Sequence, residues 1–230
     1  MRGWLDAGRL KERIGYLTLP GGLRMTVWWM VKRIANIEYD WLSESIIDPA
    51  RLYEVTADPF ELHRIGRPED LAATDPKMIE QVERNIATSV ANQLARNEWV
   101  YFLTDGAEVV SQLNVAMGPR ARVDDPIRAW LELPADSVYQ SYAFTPAAHR
   151  RRRAAQKLFM LIHNDLARQG KRKAYGIVSR TNMPQIRNLE RAGFAMVASI
   201  CVNRKGRLLF TRGLASRSIR IVPLGSEGAR

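Results

Sequence analysis

His149-Arg150-Arg151-Arg152-Arg153-Ala154-Ala155 joins a strand-like run to an amphipathic helix and gathers four arginines at the joint. Upstream, Ser137-Val138-Tyr139-Gln140-Ser141-Tyr142-Ala143-Phe144 is rich in β-branched and aromatic residues and stops at Pro146. Downstream, Ala155, Leu158, Phe159, Ile162 and Leu166 recur at helical spacing as far as Gly170, a residue suited to the position just past a helix end. The segment reads strand, basic turn, helix. A helix start leaves backbone N–H groups unpaired and carries the positive end of the helix dipole, so an anion such as phosphate can bind there. The same charge also suits a solvated basic helix start or a nucleic-acid patch.

The 230 residues fit one large domain with an appended segment and suffice for a real core. With 46% hydrophobic and 26% charged residues, and no repeat or low-complexity block, the composition is that of a globular protein. A net charge of +11 favours anionic partners: nucleic acid, an acidic carrier protein, a phosphorylated cofactor or an anionic membrane face. The basic residues cluster at the turn and in Arg168 to Lys173 rather than along a groove interleaved with aromatics, which argues against nucleic acid. The single cysteine, Cys201, excludes an internal disulfide, and with only His63, His149 and His163 no metal site is expected. The N-terminus lacks the order of a signal peptide, and Met25 to Val31 falls far short of the roughly 20 residues that span a bilayer. A cytoplasmic protein is expected, with a peripheral place on the inner membrane face as a variant. That variant rests on Val27, Met30, Val31, Ile34, Ile37 and Trp41, which would share one helical face and could meet lipid, the chain's own domain or a second copy in a homodimer.

Three segments are expected: an N-terminal helical extension over residues 1–57, a compact domain over 58–213, and a tail over 214–230 with an edge strand at Ile219 to Val222. Within the domain, Phe60 to Ile65 reads as a strand, Pro76 to Arg96 as a helix, and Trp99 to Thr104 with Val109 to Met117 as a hairpin about Asp105-Gly106. Gly118 to Ser137, with three prolines, reads as a long loop. Lys173 to Ser179 is a strand, Asn182 the N-cap of a helix that Gly193 ends, and Ala195 to Asn203 with Arg207 to Arg212 a closing hairpin.

This order resembles the GNAT superfamily of N-acyltransferases from Phe60 to about Arg212. The superfamily's phosphate-binding signature, [R/Q]-x-x-G-x-[G/A] after a central strand, is similar to Arg150 through Ala155, and a later signature is matched by Asn182 and Gly193-Phe194. The resemblance implies an α/β (α+β) fold with a mixed central sheet, two splayed parallel strands and flanking helices. It implies acyl-CoA, foremost acetyl-CoA, as co-substrate, with Ala143, Phe144 and Thr145 along the pantetheine arm. Arg150, Arg151, Arg152, Arg153, Ala154 and Ala155 would meet the pyrophosphate, and Asn182 would touch the cofactor. It also implies direct attack of a primary amine, from a small molecule or aminosugar, on the thioester. Long-chain transfer from an acidic acyl carrier protein, and a non-catalytic acyl-CoA or nucleic-acid binding protein, stay open as alternatives.

Two positions depart from the family pattern. Arg153 stands where glycine is usual, so its side chain either obstructs phosphate or grips it. Leu189 stands where many relatives place the tyrosine that protonates the leaving thiolate. Tyr142, near the splay, is a candidate polar catalytic group or else a buried structural tyrosine. Glu132, in the long loop, is a candidate base acting through water or else a solvated carboxylate.

Overall fold

The computed structural model describes residues 27–224 apart from 29, 31, 33, 87, 125 and 204. In chain order the strands before the basic turn are β1 (Ile37–Ile46), β2 (Glu61–Ile65), β3 (Glu98–Asp105), β4 (Glu108–Ala116), β5 (Arg120–Val123), β6 (Ala129–Glu132) and β7 (Ser137–Phe144). After it come β8 (Lys173–Ser179), β9 (Ala195–Asn203), β10 (Leu208–Arg212) and β11 (Arg220–Pro223). The helices are α1 (Pro68–Ala73), α2 (Pro76–Glu83), α3 (Val90–Leu94), α4 (Ala154–Arg168) and α5 (Met183–Arg191).

Eight strands form one sheet in the order β10-β9-β1-β8-β7-β4-β3-β2, and β5, β6 and β11 form a second. In the large sheet only the central β7–β8 pair is parallel. Successive side chains on a strand point to opposite faces, so each strand feeds two cores. On one face α4 and α5 bury Leu158, Phe159, Ile162, Leu166, Ile186 and Leu189 against Leu113, Val115, Val138, Ala174 and Val178. On the other, the small sheet covers Leu42, Tyr139, Tyr175 and Ile200, while α2 and α3 cover Val100, Phe102 and Val109. Burying a side chain of this size contributes about 1.5–3 kcal/mol, so the faces of the central strands are fixed by the alternation itself.

Four expectations are corrected. The helical face ending in Ile37 and Trp41 does not form: the described residues between 27 and 34 are helical, Asn36 turns the chain at φ +61, and β1 follows. Asparagine tolerates this left-handed geometry and commonly ends a helix there. β1 lies between β8 and β9, so the part of the chain read as an extension reaches into the middle of the sheet. Val31 and residues 1–26 lie outside the described residues. The single helix from Pro76 to Arg96 is two, because Ser89 caps α3 and Glu83 accepts the Val90 N–H at 2.8 Å. The long loop holds the β5–β6 hairpin. The C-terminal edge strand does form, as β11 on β6 at the edge of the small sheet. Among the described residues no helix is long and apolar enough to cross a membrane.

Candidate functional site

The β7–β8 ladder runs only from Ser137↔Lys173 to Gln140↔Gly176. Beyond it β7 stays on β4 as far as Phe144 and β8 stays on β1 as far as Ser179, so the two strands part. A bulge sharpens the divergence: Gln112 and Asn114, two apart on β4, face Phe144 and Ser141, three apart on β7. Tyr142 takes up the extra residue at φ +51. The β7 backbone past Gln140 therefore shows β8 a row of groups with no ladder partner. An extended ligand laid along that edge can pair with them, as an added strand would.

Three adjoining cavities follow the gap. The first, about 300 Å³, is lined by Ser111, Gln112, Ala143, Phe144, Thr145, Arg150, Ala155, Asn182 and neighbours. The second, about 260 Å³, shares Leu113, Ala143, Phe159, Asn182 and Gln185 with the first and ends against Gln140 and Gly176. The third, about 280 Å³, is set against the small sheet and shares Ser141, Tyr142, Ile177 and Ser179 with the second.

The first cavity meets the basic turn. Arg150 donates from Nε to the Thr145 carbonyl at 3.3 Å, which ties the turn to the end of β7. Arg153 caps α4 with left-handed geometry at φ +60, ψ +13 and offers no side-chain cap. The N–H groups of Ala154 and Ala155 are then free of helical partners and lie at the positive end of the α4 dipole. A left-handed residue leading into helix also turns successive N–H groups inward, the geometry of an anion nest. Arg152 is committed elsewhere, 2.7 Å from Asp105 and over the Phe60 ring. Buried Gln112 lines this cavity; its Oε1 accepts from Asn85 at 3.0 Å while its Nε2 has no partner among the described residues.

The third cavity is acidic within a basic chain. Glu38, Asp40 and Asp124 line it with Lys32, Arg122 and Tyr139. Lys32 pairs with Glu38 and Arg122 Nε with Asp124 at 2.8 Å, whereas Asp40 has no ion pair among the described residues. Asp40 is 3% exposed, and burial, only partly offset by Lys32, pushes its carboxyl up to about 6; the Ser179 hydroxyl is its hydrogen-bond partner. Glu98, buried on β3, is likewise pushed to about 7 by burial. Tyr142 donates its hydroxyl to Asp124, and burial with that bond raises its pKa well above the ordinary tyrosine value. A carboxylate poised near 6 beside a cavity can take a proton from an amine that has begun to bond to carbon.

The structure brings Ala143, Phe144, Thr145, Arg150, Ala155 and Asn182 to the first cavity and Tyr142 to the wall between the other two. It does not bring the rest. Arg151 and Arg153 are exposed and line none of the three, and Ala154 is buried beneath the turn. Glu132 lines none either: it sits on β6, 3.4 Å from Arg220. Leu189 is core, stacked with Ile186 and Ala192, and also closes the second cavity. Asp40, Gln112 and Gln140 escaped notice in the sequence. The alternation Ile37-Glu38-Tyr39-Asp40-Trp41 carried the signal for Asp40, since it sets two carboxylates on one face of a strand.

No family model matches the chain, and no curated protein matches it. Solved structures similar to it include a protein assigned to the GNAT family of acetyltransferases from Novosphingobium aromaticivorans, at 15% identity and TM-score 0.49 over 72% of this chain and 62% of that one. Another is an acetyltransferase from the GNAT family of Colwellia psychrerythraea, at 13% identity and TM-score 0.45 over 73% of this chain and 57% of that one. A predicted acetyltransferase from Clostridium acetobutylicum, solved with acetyl-CoA, aligns at 12% identity and TM-score 0.37 over 59% of this chain and 90% of its own. The chain thus spans less than two thirds of the first two. The bulged, splayed central pair followed by a helix start is this sheet's own. A mixed sheet with one splayed parallel pair and flanking helices is the arrangement that the sequence resemblance implied.

Proposed function

We propose that the protein transfers an acyl group from an acyl-CoA thioester to the primary amine of a small molecule, with Asp40 as the base. The observation that carries this is the sequence of environments along one gap: unpaired helix N–H groups with Arg150, an uncharged middle, then a buried carboxylate. The thioester supplies an activated carbonyl. The β7 edge holds its arm, and the amides of Ala154 and Ala155 with Arg150 hold its phosphates. The three carboxylates of the third cavity draw in the acceptor. The amine nitrogen bonds to the carbonyl carbon, the C–S bond breaks, Asp40 accepts the proton released from nitrogen, and the thiolate is protonated by solvent. The Tyr142 hydroxyl, bound to Asp124 and hard to ionise, positions that carboxylate and is not the acid that serves the thiolate.

The test is release of free thiol from acetyl-CoA, longer acyl-CoA and acyl carrier protein thioesters against a panel of primary amines and aminosugars. Thiol release that requires both an acyl-CoA and an amine, and that collapses in Asp40→Asn, supports the assignment. Release from carrier thioesters alone would move the donor to an acyl carrier protein, and no release with any pair would remove the activity.

A further inference from the structure

The first cavity opens between a turn and a helix that are both basic. Arg150 and Ala155 line it from the turn, and Pro184 and Asn188 line it from α5. Arg151 and Arg153 lie in the chain between those two turn residues and are exposed. On α5, Arg187 follows Pro184 by three residues and Arg191 follows Asn188 by three, so each shares a row on the helix surface with a lining residue. Asp105 and Glu108, where β3 turns into β4, are engaged by Arg152 at 2.7 Å and by His149 at 3.2 Å. Arg151, Arg153, Arg187 and Arg191 have no ion pair among the described residues. From Ser137 to Asn164 and from Leu166 to Leu189 the chain contains no aspartate or glutamate.

Two details distinguish this rim from a solvated basic face. Arg151 and Arg153 hold left-handed backbone at φ +67 and +60, where glycine sits without strain, so the shape of the turn does not call for the charge. Phe144 lines the same cavity and is 37% exposed, which sets an apolar spot among the cations, as in a protein interface. Nucleic acid would need basic and aromatic residues interleaved along a track. These charges ring one opening, which suits a partner that inserts an arm.

We propose that the rim docks an acidic carrier protein whose phosphopantetheine arm, the arm that CoA also carries, enters the first cavity. This rests on the thioester-arm reading of the groove, and the experiment separates the two. The arm's phosphate meets Arg150, and carboxylates around its point of attachment meet Arg151, Arg153, Arg187 and Arg191.

Binding of CoA, of a holo acyl carrier protein and of the same carrier without its arm is measured by calorimetry on the wild-type chain and on Arg151→Asn/Arg153→Asn. Asparagine removes the charge and tolerates left-handed backbone. The holo carrier should bind, lose about tenfold in the double variant, and weaken as salt is raised. The armless carrier should bind less tightly with the same dependence, while CoA binds the variant as it binds the wild type. If neither CoA nor the holo carrier binds, the arm reading itself is overturned. CoA that binds without the carrier, or a carrier whose affinity the double variant leaves unmoved, overturns only the rim. Equal losses for CoA and carrier would assign these arginines to CoA phosphates, and mixed-sequence RNA that outcompetes the carrier would make the rim a nucleic-acid surface; either result overturns the docking. Should the asparagine variant lose its fold by circular dichroism, Arg187→Gln/Arg191→Gln on the helix surface decides in its place.

Discussion

Asp40 and Ser179 face each other across the β1–β8 ladder, and both residues line the third cavity. This pairing sets a buried carboxylate beside Ser179, which lines the second cavity as well as the third. Asp40→Asn should lower turnover about 10²- to 10⁴-fold without weakening CoA binding. Wild-type activity should rise with pH through about 6 as Asp40 ionises. The folded chain holds this proton from the unfolded value near 3.8 up to about 6, so its contribution to stability falls as pH rises through that window and stays low above it. At pH 7 the asparagine variant should therefore be more stable by up to about 3 kcal/mol. Thermal melts at pH 4 and pH 7 beside steady-state rates measure both; an asparagine enzyme with full turnover removes Asp40 from the chemistry.

Arg153 holds a conformation that glycine adopts without penalty. Arg153→Gly should stabilise the chain by about 1 kcal/mol, because left-handed backbone costs a side chain about that much. Its affinity for CoA should be unchanged or higher, since the residue lines none of the three cavities. Arg150→Ala, at a lining position, should weaken CoA binding. Weaker binding in Arg153→Gly would mean that the guanidinium reaches phosphate after all.

Asn182 is both N-cap of α5, accepting the Gln185 N–H at 3.3 Å, and a lining residue of the first two cavities. Aspartate caps as well as asparagine does, whereas alanine loses about 1 kcal/mol. Asn182→Asp should melt with the wild type yet bind CoA less tightly, since it removes a donor and adds a negative charge. Equal affinity would leave Asn182 with the cap alone.

His163 is buried between the rings of Tyr53 and Phe194, and burial lowers its pKa to about 4. The unfolded chain binds this proton from 6.5 downward and the folded chain does not, so stability is lost as pH falls from 6.5 toward 4. The loss amounts to about 3 kcal/mol. His163→Phe should resist acid by that margin in urea melts at pH 4.5; an unchanged difference from wild type would show that the imidazole is already charged.

The parallel pair and the helix start were legible because their residues are local: β-branched and aromatic residues in β7 and β8, a period of 3.6 in α4, an Asn cap on α5. β1 was missed because its outer residues continue the apolar helical face of residues 27–34, and only Asn36 marks the change of period. The basic loop from Arg150 to Ala155 could be located from sequence, although only Arg150 and Ala155 of it line the first cavity. The third cavity could not be read, since Asp40, Tyr142 and Asp124 come from three segments that only the sheet order brings together. Gln140 and Gln112 look like ordinary strand residues until burial singles them out, with both amide atoms of Gln140 and the Nε2 of Gln112 lacking a partner among the described residues.

The small sheet gives the third cavity Arg122, Val123 and Asp124 from one hairpin, which the large sheet does not need for its own ladder. On the proposed reading, thioester capture and amine choice would therefore be written in separable stretches of chain. Replacing the hairpin over residues 120–132 could retarget the molecule to a new amine within an unaltered donor half, which makes this segment the natural place for divergence or for grafting.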